Sequence, residues 1–158
     1  MVVIFLGSKS DLEWGKAICK YLAEFGISYK IHIASAHRTP DYLLKLIGDC
    51  EALSEPVIYI CVAGRSNALG GFIDAQSGRP VINCPPFSEK YAGLDILSSL
   101  RMPSGVASMT VLEPEQAALA AVKILALDNK KLKEKVLSYQ KKNREKIVKD
   151  DNEINEEK

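Results

Sequence analysis

What most constrains this chain is a repeated change of period. A short apolar run ends at a residue that breaks regular structure. A segment with apolar residues three and four apart then follows. The change recurs five times before Leu127. Met1 to Leu6 and Pro56 to Val62 are apolar almost without interruption. Such runs suit strands buried on both faces, the condition of a parallel sheet with helices above and below it.

The first unit is the strand Met1 to Leu6, the loop Gly7-Ser8-Lys9-Ser10-Asp11, and a helix whose apolar positions include Trp14, Ile18, Leu22 and Phe25. Gly26 is placed to stop that helix. The second is the strand Ser28 to Ile33, the loop Ser35-Ala36-His37-Arg38-Thr39-Pro40, and a helix from Pro40 to about Leu53. The third strand, Pro56 to Val62, is expected to be central. It leads into the loop Ala63 to Gly71 and a short helix near Phe72 to Gln76. A fourth strand, Val81 to Cys84, exits through Pro85-Pro86-Phe87, which forces an extended path. A helix over Ala92 to Leu100 and an irregular loop at Met102 to Val106 are expected next. A fifth strand, Ala107 to Leu112, precedes a helix from Glu115 to Leu127, where Ala117, Ala118, Ala120 and Ala121 permit close approach of another element.

Beyond Asp128 the composition shifts. Leu132, Val136, Tyr139 and Ile147 form one apolar stripe among lysines and glutamates, the pattern of an amphipathic helix reaching about Lys149. Such a stripe packs on its own domain or on a neighbouring subunit, and the basic run reads as a solvated face. The expected organisation is an α/β domain over residues 1–127, a C-terminal helix over 128–150 and a frayed tail over 151–158. Five strands alternating with helices predict a three-layer α/β/α, flavodoxin-like five-stranded parallel sheet.

In that architecture the loops after strands one, two and three converge on one edge, where ligands bind. They bring Ser8, Asp11, Ser35, His37, Arg38 and the loop of Gly64, Arg65, Ser66 and Asn67 together. Arg38 can hold a phosphate with a fixed fork of donors, and His37 can move a proton near neutral pH. Plain capping accounts for part of the pattern: Thr39 can be an N-cap with Pro40 at the first helical position, and Ser10 or Asp11 can cap the first helix. Close helix packing accounts for Gly70-Gly71. Capping does not account for two serines and a lysine in one turn. The other histidine, His32, points to the opposite side of its strand from Ile31 and Ile33 and reads as structural. The convergence favours a small phosphorylated ligand and leaves the reaction open.

Composition excludes several classes. A chain of 158 residues with 47% hydrophobic and 26% charged residues is an ordinary globular domain. A net charge of +1 offers no general attraction to nucleic acid or to a membrane surface. No apolar run is long enough to span a bilayer, and the opening lacks a secretory pattern. Cys19, Cys50, Cys61 and Cys84 have no metal-ligand or redox spacing, so buried thiols in a reducing cytoplasm are expected. No metal site is expected.

Three motifs carry a resemblance. Gly7-Ser8-Lys9-Ser10-Asp11, Ser35-Ala36-His37-Arg38-Thr39-Pro40 and Leu100-Arg101-Met102-Pro103-Ser104-Gly105, in this order, resemble the aminoimidazole ribonucleotide carboxylase family of purine biosynthesis; the similarity covers roughly Val2 to Leu127. The family has a mutase class, which moves a carboxyl group from nitrogen to carbon, and a carboxylase class, which takes carbon dioxide directly. The mutase class carries a histidine at the end of the loop after strand three. Here that loop reads Ala63-Gly64-Arg65-Ser66-Asn67-Ala68-Leu69-Gly70. With Cys84-Pro85-Pro86 and Ser98-Ser99-Leu100-Arg101, it resembles the carboxylase class.

The resemblance implies carboxylation of 5-aminoimidazole ribonucleotide by carbon dioxide, without metal or organic cofactor. It places Ser35 and Arg38 on the phosphate, Asp11 on the ribose, Ser8 among the ribonucleotide contacts and His37 at the proton transfer. Gly64, Arg65 and Ser66 join the substrate site. It also implies a cytoplasmic homo-oligomer, tetramer or octamer, with no nucleic-acid or membrane partner. The mutase reaction is the alternative within the family. Outside it, a flavin-binding electron-transfer module fits the fold, and a non-catalytic nucleotide-binding regulator is the other alternative. The phosphate loop matches flavin poorly and the flanking aromatics are missing.

Overall fold

The structure, a computed structural model, describes residues 1–156. Five strands form one parallel sheet in the order β2-β1-β3-β4-β5: β1 (Val2–Leu6), β2 (Tyr29–Ile33), β3 (Ile58–Val62), β4 (Val81–Asn83) and β5 (Met109–Thr110). This is the flavodoxin-like order expected from the alternation, with β3 in the middle. The register sets Ile4 beside both Ile31 and Ile60. Every residue of β1 and β3 is buried, as their unbroken apolar runs require. The edge strand β2 is exposed at Tyr29, Lys30 and Ile33 and only partly buried at Ile31 and His32.

Helices cover both faces. On one face α2 (Pro40–Glu51) and α3 (Ala68–Ala75) bury Leu43, Leu46, Ile47 and Ile73 against Phe5, Tyr59 and Cys61. On the other lies α1 (Leu12–Glu24), where Gly15 sits so close to Leu6 that a Cβ would stand 2.9 Å from its Cδ2. Gly26 ends α1 at φ 73°, the left-handed conformation that a helix stop of this type needs. The four cysteines are buried free thiols, as their apolar settings predict.

Several boundaries differ from expectation. The third helix begins at Ala68, ahead of Phe72, because the Asn67 side chain caps it and accepts the Gly70 N–H at 3.3 Å. The helix expected over Ala92 to Leu100 is a 3-10 segment, Lys90–Ile96, followed by the short α4 (Leu97–Leu100). Tyr91, Ala92 and Gly93 are all left-handed, and no regular helix passes through such residues. The fifth strand keeps only two of its expected residues, since β4 offers so short an edge to pair with.

The chain divides into two compact units, Met1–Ala121 and the segment from Val122 onward, and the division falls inside α5 (Pro114–Leu125). The second unit is dominated by α6 (Lys130–Glu156), where Leu132 and Val136 are buried and Ile147 is exposed. This helix continues past Lys149. Residues 151–156 are helical where a frayed tail was expected, with a Lys149–Glu153 ion pair of 3.3 Å one turn apart and no glycine or proline to stop the helix. The last two residues of that expected tail lie outside the described ones.

Candidate active site

The carboxyl ends of β1, β2 and β3 are tied together by main-chain bonds. Gly7 N–H donates to Val62 O, and Ala34 N–H to Leu6 O, each at 2.9 Å. The three following loops therefore open on the same side of the sheet. They line a cleft of about 860 Å³. Of the residues expected at a site, Ser8, Asp11, Ser35, His37, Arg38, Gly64, Arg65 and Ser66 all line it.

Within the first loop the Asp11 carboxylate turns back. It accepts the Ser8 N–H at 2.9 Å and the Ser8 hydroxyl at 3.0 Å, and Ser8 Oγ lies 2.5 Å from Ser10 Oγ. Asp11 precedes α1 as its cap residue, yet its side chain makes no capping bond to that helix. The second loop is a turn ahead of α2. Thr39 occupies the N-cap position with Pro40 behind it, as the sequence predicts. The Thr39 hydroxyl serves the turn: it accepts the Ser35 N–H at 2.9 Å. Ser35 Oγ accepts the Arg38 N–H at 3.2 Å, which leaves its own proton to donate to an anion. The Arg38 guanidinium reaches across to Gly7 O at 3.2 Å, spanning the first two loops. Arg38 and the amino end of α2 together form a favourable seat for a phosphate. The His37 side chain is exposed at this edge.

The third loop is the most constrained. Arg65 has φ 57°, a left-handed conformation that costs a non-glycine residue about 1–3 kcal/mol. Asn67 is 1% exposed; its main-chain N–H donates to Ser98 Oγ and its side-chain amide to Ser99 Oγ, each at 2.9 Å. The reading of Gly70-Gly71 as packing glycines holds. A Cβ on Gly70 would fall on the buried Asn83 side chain, and one on Gly71 would lie 2.9 Å from Met102 Sδ.

The far wall was missed in the sequence. Pro86, Phe87, Ser88, Glu89 and Lys90 complete the cleft. The sequence reading takes Pro85-Pro86-Phe87 as an extended exit and Cys84-Pro85-Pro86 as part of a resemblance, and places neither at the cleft, although the segment follows a fourth parallel strand and so obeys the same edge rule. A smaller cavity of about 230 Å³ adjoins and shares Ala63, Gly64 and Pro86 with the cleft; Trp14, Ile96 and Leu112 also line it. Arg101 is exposed and does not line the cleft.

Electrostatics sort the remaining candidates. His32 stacks on Phe5 with 5.7 Å between centroids. Burial, helped by the Lys30 charge, holds its imidazole below the ordinary histidine value. It belongs to the packing, as its strand parity predicts. Burial pushes the Cys19 thiol up to about 11 and the Cys84 thiol up to about 12, so neither is a ready nucleophile. Among the described residues no group of three or more His, Cys, Asp or Glu could hold a metal ion. No helix among the described residues is long and apolar enough to cross a membrane.

Known proteins place this chain in a family. The chain matches the model of the AIR carboxylase family over residues 1–146. It is 53% identical to a phosphoribosylaminoimidazole carboxylase of Archaeoglobus fulgidus, covering 96% of this chain and 83% of that one. It is 46% identical to a phosphoribosylaminoimidazole carboxylase of Treponema denticola, covering 98% and 97%. The crystal structure of Treponema denticola PurE superposes with a TM-score of 0.95 at 46% identity over 96% of each chain. The human bifunctional phosphoribosylaminoimidazole carboxylase/phosphoribosylaminoimidazole succinocarboxamide synthetase is 41% identical over 81% of this chain and 30% of its own length. With its three sheet-edge loops gathered at one cleft and these likenesses spanning nearly its whole length, the chain belongs to the AIR carboxylase family of purine biosynthesis.

Proposed function

We propose that this protein carboxylates 5-aminoimidazole ribonucleotide directly with carbon dioxide, giving 4-carboxy-5-aminoimidazole ribonucleotide. The observation that carries this reading is the loop Gly64-Arg65-Ser66. It enters the same cleft as Ser8, Asp11, Ser35, His37 and Arg38, and it holds an arginine and no histidine. Arg38 and Ser35 bind the phosphate at the amino end of α2, and Asp11, steadied by Ser8, accepts from the ribose. The substrate is an enamine. Its ring carbon attacks the carbon of carbon dioxide, a carbon–carbon bond forms, and one C=O π pair becomes the carboxylate. The same ring carbon must then lose its proton to restore aromaticity. His37 is the group in this cleft suited to take it. The new carboxylate faces Arg65, whose guanidinium suits it. The protein works as a cytoplasmic homo-oligomer, with the apolar residues of α6 contributing to association.

The test is turnover with each donor offered separately. The expected rate with aminoimidazole ribonucleotide rises with added bicarbonate or carbon dioxide and needs no ATP. N-carboxyaminoimidazole ribonucleotide should be consumed only as fast as it decomposes to free substrate. Its rapid conversion under carbon-dioxide depletion would assign the protein to the mutase class.

A further inference from the structure

We infer that Asp95 is a positioning residue that holds Arg65 in its left-handed conformation and thereby presents the Arg65 guanidinium to the product carboxylate. This rests on the proposed reading of the cleft. Asp95 lies thirty positions along the chain from Arg65, yet its Oδ2 accepts the Arg65 main-chain N–H at 3.0 Å. The bond is made exactly where the backbone needs help, since φ at Arg65 is 57° and no glycine is present to relax it. Asp95 is itself held. It is the last turn before α4, and its carbonyl accepts the Ser98 hydroxyl at 2.7 Å. Ser98 in turn receives the Asn67 N–H at 2.9 Å. The segment from Asp95 to Ser99 is thus a rigid rail along the whole Arg65–Asn67 loop.

What Asp95 leaves alone matters as much. A carboxylate beside an arginine ordinarily pairs with the guanidinium. Here it takes the main-chain N–H, and the Arg65 guanidinium is in none of the ion pairs among the described residues. Arg65 is one of the residues that line the cleft. A carboxylate ligand is the chemistry it fits, because a planar fork of N–H donors matches two carboxylate oxygens. The product carries such a group at the ring and the substrate does not.

The experiment measures calorimetric dissociation constants for substrate and product in the full-length protein and its variants. Both donor classes make the same product, so a wrong assignment of the donor leaves the result readable. Arg65→Ala should weaken product binding about tenfold or more and leave substrate binding within about threefold. Asp95→Ala should weaken product selectively by about fivefold or more. Asp95→Asn, which keeps an oxygen for the Arg65 N–H, should recover most of that loss. In an Arg65→Ala background, Asp95→Ala should add almost nothing. Asp95→Ser serves the same comparison if the alanine variant does not fold. Equal weakening of substrate and product, full additivity in the double variant, or a lower melting temperature with unchanged product affinity would each overturn the inference. Failure of the wild-type protein to bind either ribonucleotide would instead overturn the proposed function, and this inference with it.

Discussion

Replacing His37 with asparagine separates chemistry from structure more cleanly than any other change in the cleft. The imidazole is exposed at the cleft edge, and the main chain around it is held by the bonds of its neighbours, Ser35, Arg38 and Thr39. Removing the ring therefore empties no core position and orphans no buried partner. The melting temperature should stay within what an exposed substitution causes, about 0.5 kcal/mol in stability. Asparagine keeps polarity and cannot carry a proton. Losing a general acid–base group costs about 10²-fold or more in rate. At about 1.36 kcal/mol per tenfold, that is at least about 2.7 kcal/mol of barrier. The assay pairs steady-state carboxylation of aminoimidazole ribonucleotide with calorimetric binding of the same compound. The expected result is a kcat lowered by that factor with a near-normal dissociation constant. A variant with near-normal kcat would refute the proton-transfer role, since the other histidine, His32, is packed on Phe5 away from the cleft.

Five further outcomes rest on the same structure. Arg38→Lys keeps the charge and loses the fork, so KM should rise by the equivalent of about 1.5–3 kcal/mol with kcat little changed; an unaltered KM removes Arg38 from the phosphate seat. Glu51 accepts from the Tyr59 hydroxyl and from Ser77, each at 2.6 Å, and pairs with Arg79 at 3.3 Å. Glu51→Ala strands the fully buried Tyr59 and should cost about 1–3 kcal/mol in chemical denaturation. Burial raises the Glu51 carboxyl, but the bonds from Ser77 and Tyr59 and the Arg79 charge outweigh it and hold it below its ordinary value. Its contribution should thus be complete above the ordinary glutamate pKa and lost as pH falls through the lowered folded value, and Glu51→Gln should flatten that acid limb. Gly70→Ala drives a methyl into the buried Asn83 amide and should destabilise by about 1–3 kcal/mol; an unchanged melting temperature would mean that the wall yields. Deleting residues from Asp128 onward removes the buried Leu132 and Val136 and should lower both melting temperature and assembly mass. Light scattering and a thermal melt that match the full chain would dismiss the association role.

The sequence alone determined the layer architecture and the group of loops that meet, with the flavodoxin-like strand order as the default for that architecture. The reason is local. An unbroken apolar run such as Ile58 to Val62 can be buried only between two covered faces, and a parallel sheet then places every strand-to-helix loop at one edge. Ser8, Asp11, Ser35, His37 and Arg38 were legible for that reason. The tertiary structure decided what depends on partners far along the chain. Whether the Asp11 and Thr39 side chains cap helices or brace loops turned on Ser8 and Ser35, which compete for them at hydrogen-bond distance. That Arg65 adopts φ 57° could not be read from its neighbours, because the acceptor at its N–H is Asp95, brought there by the broken helix around Gly93. Periodicity records what each residue does within its own element, whereas the hydrogen bonds that shape this cleft join elements, and only the packed fold brings their donors and acceptors together.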